Sequence, residues 1–278
     1  MDHHFTFTSR RAQLVATLHL PDEGQPKALG LVLLHGWAGY KIGAHRMFVK
    51  LGREAAVRGH ACLRFDFRGR GDSEGGAAKT NLTTMIEDAV AAARTLLQQQ
   101  PGVTQIALIG DCSGSEVAIG AGVLVPECKA LALWSAPIVG ASRQASDKAK
   151  RKHILAQYAG KLFRRETWGK LLAGGLQPAM IKKAISGGGK GAGEQGAEID
   201  KKITWLERFA TFPGQVLFVY GSKDPTTDEA VGHYEPLTAE SGRDWHLHTV
   251  DGANHAFYSA TWEREVIEAT LDWLATSA

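Results

Sequence analysis

The sequence lacks several features that would assign it to a specialised class. No apolar run in its 278 residues approaches the roughly 20 needed to cross a bilayer, so a membrane-spanning helix is not expected. Its first residues, MDHHFTFTSRRAQLV, lack the apolar core of a signal peptide, and the expected compartment is the cytoplasm. Cysteine is scarce: Cys62, Cys112 and Cys128 are an odd number at unrelated spacings. They form neither a disulfide framework nor a zinc pattern, and no metal is expected. Charge of one sign is scarce too. A formal net charge of +3 is too small to argue for a nucleic-acid partner. There is no internal repeat. The glycine-rich stretch Phe65–Ser73 is not followed by a helix with a Walker lysine, so it is read as a structural loop and not as a phosphate cradle.

What is present is ordinary globular usage, with 44% apolar and 22% charged residues. A chain of this length can bury a substantial core without cross-links. Segments around Phe5–Phe7 and Leu14–Leu20 alternate, which predicts an antiparallel pair at a sheet edge. Short apolar runs follow at Leu29–His35, Ala61–Phe67, Gln105–Gly110, Ala130–Trp134, Gln215–Tyr220 and Trp245–Val250. Each has the length of a strand buried on both faces of a parallel sheet. Helical patterns at Met47–Arg58, Leu82–Gln99, Ser115–Val125 and Thr261–Thr276 lie between or after them. The alternation predicts an α/β architecture with a mostly parallel, doubly wound sheet.

The alternation breaks between Pro137 and Pro213. Helices are expected there at His153–Phe163, Thr167–Leu172, Pro178–Ile185 and Ile199–Ala210, joined by the glycine-rich SGGGKGAGEQG. Basic residues gather in this stretch at Lys148, Lys150–Lys152, Arg164–Arg165 and Lys182–Lys183, and read either as a solvated surface or as a rim attracting anions. The expected organisation is a core over residues 1–137 and 213–278, interrupted by a helical lid over 138–212.

One strand runs into Gly110-Asp111-Cys112-Ser113-Gly114, and a helical segment follows. A nucleophile on a tight strand-to-helix turn needs small residues two before and two after it. Gly110 and Gly114 hold those places only if Cys112 is the nucleophile; choosing Ser113 would put Asp111 and Ser115 there. A thiolate is a strong nucleophile beside a histidine or at a helix N-terminus. Cys62, within a strand pattern, and Cys128, in a short connection, read as structural.

The acid of a nucleophile–acid–base order should follow a late strand. Asp224 does so, with Asp228 as the more distant alternative. The base should follow the last strand, where His255 lies in a loop; His246 and His248 fall within the strand itself. An oxyanion hole needs two backbone N–H groups. The candidates are Ser113, which follows the nucleophile, and Trp37, in the loop His35-Gly36-Trp37-Ala38-Gly39 after the first buried strand.

The ordered motifs HGWAG, FDFRGRGDSEG, GDCSG, GSKDP and GANHAF together resemble the landmarks of α/β-hydrolases over nearly the whole chain. The resemblance implies an α/β-hydrolase fold with an inserted helical lid. RMFVKLGREAAVRGHACLRFDFRGRGDSEG preceded by KIGAH, then ETWGKLLAG and GANHAFYSATWEREVI, are similar to bacterial hydrolases associated with exosortase A systems, which also carry a cysteine elbow. Dienelactone hydrolases resemble the site in their Cys-His-Asp triad, and polyhydroxyalkanoate synthases in a cysteine elbow that transfers acyl groups.

The expected activity is cleavage of a carboxylic ester or thioester through Cys112, Asp224 and His255. The substrate is expected to be a small molecule or an acylated carbohydrate, and no cofactor is required. The alternatives are an acyltransferase using the same residues and a non-catalytic binding protein on the same fold.

Overall fold

In the short apolar runs both sets of alternating side chains find cover. In Leu29–Leu34 (β3) all six residues are buried, with Leu31 and Leu33 in the core on one side and Val32 and Leu34 in the core on the other. The same holds for Cys62–Phe65 (β4), and for most of Gln105–Asp111 (β5), Cys128–Trp134 (β6) and Gln215–Gly221 (β7). With Asp2–Ser9 (β1), Ala12–His19 (β2) and Trp245–Val250 (β8) they form an eight-stranded sheet in the order β1-β2-β4-β3-β5-β6-β7-β8. β1 pairs antiparallel with β2, and β2 with β4; the other neighbours are parallel. The expected antiparallel pair is therefore present at one edge.

The computed structural model describes residues 1–138, 205–241 and 245–276. Most of the expected lid, including its first three helices, its basic clusters and its glycine-rich segment, lies outside the described residues. Only the end of the expected helix Ile199–Ala210 falls within them, where a helix runs over Trp205–Thr211. The described parts of 1–137 and 213–278 contribute to one sheet.

One face of the sheet is covered by α1 (Met47–Val57) and α6 (Ala260–Thr276), linked by ion pairs from Lys50 to Glu263 and from Arg58 to Asp272. Trp134 of β6 is fully buried on this side, and its indole N–H donates to Thr270 Oγ1 at 3.0 Å. The other face carries α2 (Leu82–Gln99), α3 (Ser113–Gly122), α4 (Trp205–Thr211) and α5 (Thr227–Ser241). α2 begins where its sequence says it should. Asn81 accepts from Thr84 N–H while Thr84 Oγ1 accepts from Asn81 N–H, a reciprocal cap that satisfies two otherwise orphaned donors.

Two expectations are corrected. β8 is not buried on both faces: it is the terminal strand, and Leu247 is 41% exposed. α5 was not expected from the sequence. Among the side chains described in it, the buried ones, Thr227, Ala230 and Tyr234, are sparse and partly polar, and it contains Pro236.

β3 lies between β4 and β5, so the chain leaves it toward one edge and later returns on its other side. Crevices form at the carboxyl ends of strands at such a reversal, and ligands bind there in open α/β sheets. The loops after β3 and β5 carry the expected nucleophile and oxyanion donors.

Candidate active site

Between β5 and α3 stands one residue, Cys112, at φ 53° and ψ −122°. A non-glycine residue with positive φ is uncommon and is held there by its surroundings. Cys112 N–H donates to Trp134 O at 2.8 Å, and Ser115 Oγ donates to Gly110 O at 2.9 Å. The turn is so tight that a Cβ on Gly110 would overlap the carbonyl of Gly114, and one on Gly114 would overlap Leu34 O. The steric requirement inferred from the sequence is therefore met at both glycines. Ser113 is already helical, the first residue of α3, which starts two residues earlier than expected.

Asp224, just beyond β7, is 5% exposed. Its Oδ1 accepts from Thr226 N–H at 3.0 Å and from Thr226 Oγ1 at 2.8 Å. Its Oδ2 lies 2.6 Å from His255 Nδ1. Burial works to raise this carboxyl, but the bonds from His255 and Thr226 outweigh it and hold it below the usual range. His255 is pushed up to about 10, first by the Asp224 carboxylate and then by a hydrogen bond with the Cys112 side chain, against the opposing effect of burial. The histidine thus meets the carboxylate at Nδ1, and Cys112 lies close enough to act on its charge. Ser135 Oγ donates to His255 O at 2.9 Å and fixes the histidine loop against β6. Nothing in the sequence marks Ser135 for this task except its place after a strand.

The alternatives weighed from sequence lie elsewhere. Asp228 is in the first turn of α5 and is exposed. His248 pairs with Glu265 at 3.0 Å, and His246 lies against the ring of Trp273. Cys62 and Cys128 are buried, and burial pushes both thiols up to about 12, so neither is a ready nucleophile.

The loop after β3 lies directly against the elbow. A Cβ on Gly36 would stand 3.2 Å from Asp111 O and 3.4 Å from Cys112 Cβ. Trp37 N–H donates to Ser113 Oγ at 2.6 Å. The two expected oxyanion donors are thus neighbours, with the Trp37 N–H engaged by the serine hydroxyl. The Trp37 ring is 42% exposed, and the Arg70 guanidinium carbon sits 4.7 Å from its centroid.

His35 has a role the sequence did not disclose. It is 1% exposed, and burial pushes its pKa down to about 4, so it is neutral. Nδ1–H donates to Gly36 O at 2.8 Å, and Nε2 accepts from Phe67 N–H at 3.4 Å, which ties the oxyanion loop to the loop after β4. That second loop, the glycine-rich landmark, is itself anchored. The Asp66 carboxylate accepts from Lys41 N–H at 2.6 Å, Lys41 Nζ at 2.6 Å and Asp72 N–H at 3.0 Å. Arg68 binds Asp88 of α2 through its side chain and its backbone N–H. Its role is bracing.

Asp111, beside the nucleophile position, is another feature that sequence reasoning left undecided. Burial pushes its carboxyl up to about 6, with His255 pulling the other way. Among the described residues no cluster of three or more His, Cys, Asp or Glu is arranged to hold a metal ion. No described helix is long and apolar enough to cross a membrane.

Residues 31–269 match the model of the Alpha/beta hydrolase family. No curated protein matches the chain closely enough to count as a relative. Among solved structures, an esterase from Pyrococcus furiosus superposes with a TM-score of 0.67 at 19% identity, covering 98% of this chain and 91% of that one. A dienelactone hydrolase from Anabaena variabilis gives 0.63 at 11% identity, covering 100% and 98%. A proline iminopeptidase from Mycobacterium smegmatis gives 0.65 at 16% identity, covering 99% and 98%. At these identities the likeness is one of fold. With the family model spanning β3 to α6, the chain belongs to the Alpha/beta hydrolase family.

Proposed function

We propose that this α/β-hydrolase cleaves a carboxylic ester or thioester through a thioester acyl-enzyme formed on Cys112. The observation that carries the reading is the meeting of three groups. Cys112 occupies the positive-φ elbow, close enough to raise His255, whose Nδ1 lies 2.6 Å from Asp224 Oδ2. The structural likeness to an esterase and a dienelactone hydrolase is consistent with the reaction class.

Before the first half-reaction the thiol proton already rests on His255, which is raised to about 10 and held as an imidazolium by Asp224. The sulfur attacks the acyl carbon, a C–S bond forms, and the carbonyl electron pair moves to oxygen. That oxygen is held by the N–H groups of Trp37 and Ser113, the latter at the start of α3 where backbone donors have no intrahelical partner. The pair returns, the bond to the leaving group breaks, and His255 supplies its proton. Water then repeats the sequence at the thioester, releases the acid and restores the thiol. No step requires a metal or an organic cofactor. A small or carbohydrate-borne acyl ester is the substrate class that goes with this reading. So do the lid over 138–212 and a cytoplasmic setting, in which the thiol stays reduced.

The test is to mix the protein with p-nitrophenyl acetate and butyrate, follow nitrophenol release, and weigh the intact protein at early times. Turnover and an acyl adduct should both be lost in Cys112→Ala, by at least about 10³-fold in rate, and persist in Ser113→Ala. Loss in Ser113→Ala with survival in Cys112→Ala would move the nucleophile to the serine. Equal turnover in all three proteins would overturn the acyl-enzyme.

A further inference from the structure

At the antiparallel edge of the sheet, away from the elbow, a second polar site is built around a buried arginine. Register pairing puts His4, Thr17 and Arg64 in one row across β1, β2 and β4. The loop segment Tyr40–Ile42 and the residues Gly71 and Asp72 complete a cavity of about 590 Å³ over this row. That volume lies in the range of small-molecule sites, roughly 300–1,000 Å³.

Arg64 is 5% exposed and lines the cavity. Two of its nitrogens are fixed by the protein. Nε–H donates to His19 Nε2 at 2.8 Å, and Nη1 donates to Lys41 O at 3.4 Å. His19 is fully buried, and its Nδ1–H donates to Asp2 Oδ1 at 2.7 Å, which leaves Nε2 free to accept. The guanidinium is thus oriented by a relay from Asp2 through a neutral imidazole. Among the described residues it forms no ion pair, and Nη2 has no acceptor. The other carboxylates nearby are committed: Asp66 and Asp72 both bind Lys41 Nζ, at 2.6 and 2.5 Å. A buried cation without a carboxylate partner is costly unless something satisfies its remaining donors. A planar guanidinium held by one edge presents its other edge as a fork that fits the two oxygens of a carboxylate or phosphate.

We propose that this cavity is a binding site for the oxyanion group of a small molecule, a carboxylate or a phosphate, held by the free edge of Arg64 with Lys41, Thr17 and His4 at its walls. The site is separate from the Cys112 centre and does not depend on the reaction assigned there. Through the Lys41 carbonyl and the Asp66 anchor, its occupant would bear on the same loop that carries Trp37.

The full chain is titrated with sodium phosphate and separately with sodium acetate, each against sodium chloride at matched ionic strength. Melting temperature and isothermal calorimetry are the readouts. The expected result is a saturable rise in melting temperature and 1:1 binding with at least one of the two anions and not with chloride; the anion that saturates identifies the group. Arg64→Gln removes the charge. Ile42→Trp fills the cavity from the loop and leaves the arginine untouched, so it decides the matter if Arg64→Gln fails to fold. Binding should weaken at least tenfold in each folded variant. No saturable response beyond that of chloride, or unchanged affinity in either folded variant, would overturn the site.

Discussion

The candidate active site is assembled from two regions held together in different ways. At the elbow, position is set by backbone in contact with backbone: Gly110 against Gly114, and Gly114 against Leu34. On the acid–base side, position is set by side-chain hydrogen bonds, with Thr226 and His255 on Asp224 and Ser135 on the His255 carbonyl. Close backbone contact tolerates no added volume, because neither partner can rotate away. A polar cluster tolerates volume better but depends on charge and protonation. One region should therefore fail mechanically and the other chemically.

The largest effect that would sharpen this contrast is in Asp224→Asn. Turnover should fall by about 10³–10⁴-fold in protein that still folds, with a lowered melting temperature because the charged pair with His255 is lost; failure to fold would show that the carboxylate is a structural keystone first. Gly114→Ala is the converse. It should lower stability by about 1–3 kcal/mol, the usual result of overpacking, measured by urea denaturation, and activity should be lost with folding. Unchanged stability would mean that the elbow is softer than its contacts suggest. Ser135→Ala should cost about 1 kcal/mol and reduce turnover modestly, since His255 keeps its carboxylate. Leu247→Lys on the exposed edge strand belongs to neither region and should stay within about 0.5 kcal/mol of the parent.

Acid and alkali separate the two regions further. His255 is raised to about 10, so the stability it contributes is fully present below its ordinary titration range and is lost as pH rises through about 10. Asp224 is depressed, so its contribution is present above the ordinary carboxylate range and is lost as pH falls through its lowered value. Following the His255 ring protons by NMR should show titration near 10 in the parent and well below that in Asp224→Asn. The elbow glycines carry no such dependence.

The parts of the fold that could be read from sequence are those where pattern and environment coincide. Leu29–Leu34 is apolar throughout because both of its faces are covered, and its run matches its strand. Trp245–Val250 has the same appearance, yet it has one neighbour instead of two, and the sequence does not say which strand ends a sheet. α5 is not marked in the sequence because its described contacts with the core, Ala230, Val231 and Tyr234, are few and interrupted by polar residues. In the site, the tight turn at Cys112 and the pairing of Asp224 with His255 were legible because the order of the strands fixes which loops meet. Ser113 capturing the Trp37 N–H, His35 pinning two loops together and Arg64 left without a carboxylate were not. Each depends on which atoms meet across the chain, and no local spacing encodes that.

The burial of Cys62 and Cys128, in contrast to the partly exposed Cys112, has a practical consequence. A thiol-directed label offered to the folded chain has one sulfur within reach, and the other two open only when β4 and β6 come apart. The mass of the labelled chain therefore counts unfolding events: one tag for a molecule that has stayed folded and three for one that has opened. The protein carries a recorder of its own global opening, readable without any engineered probe.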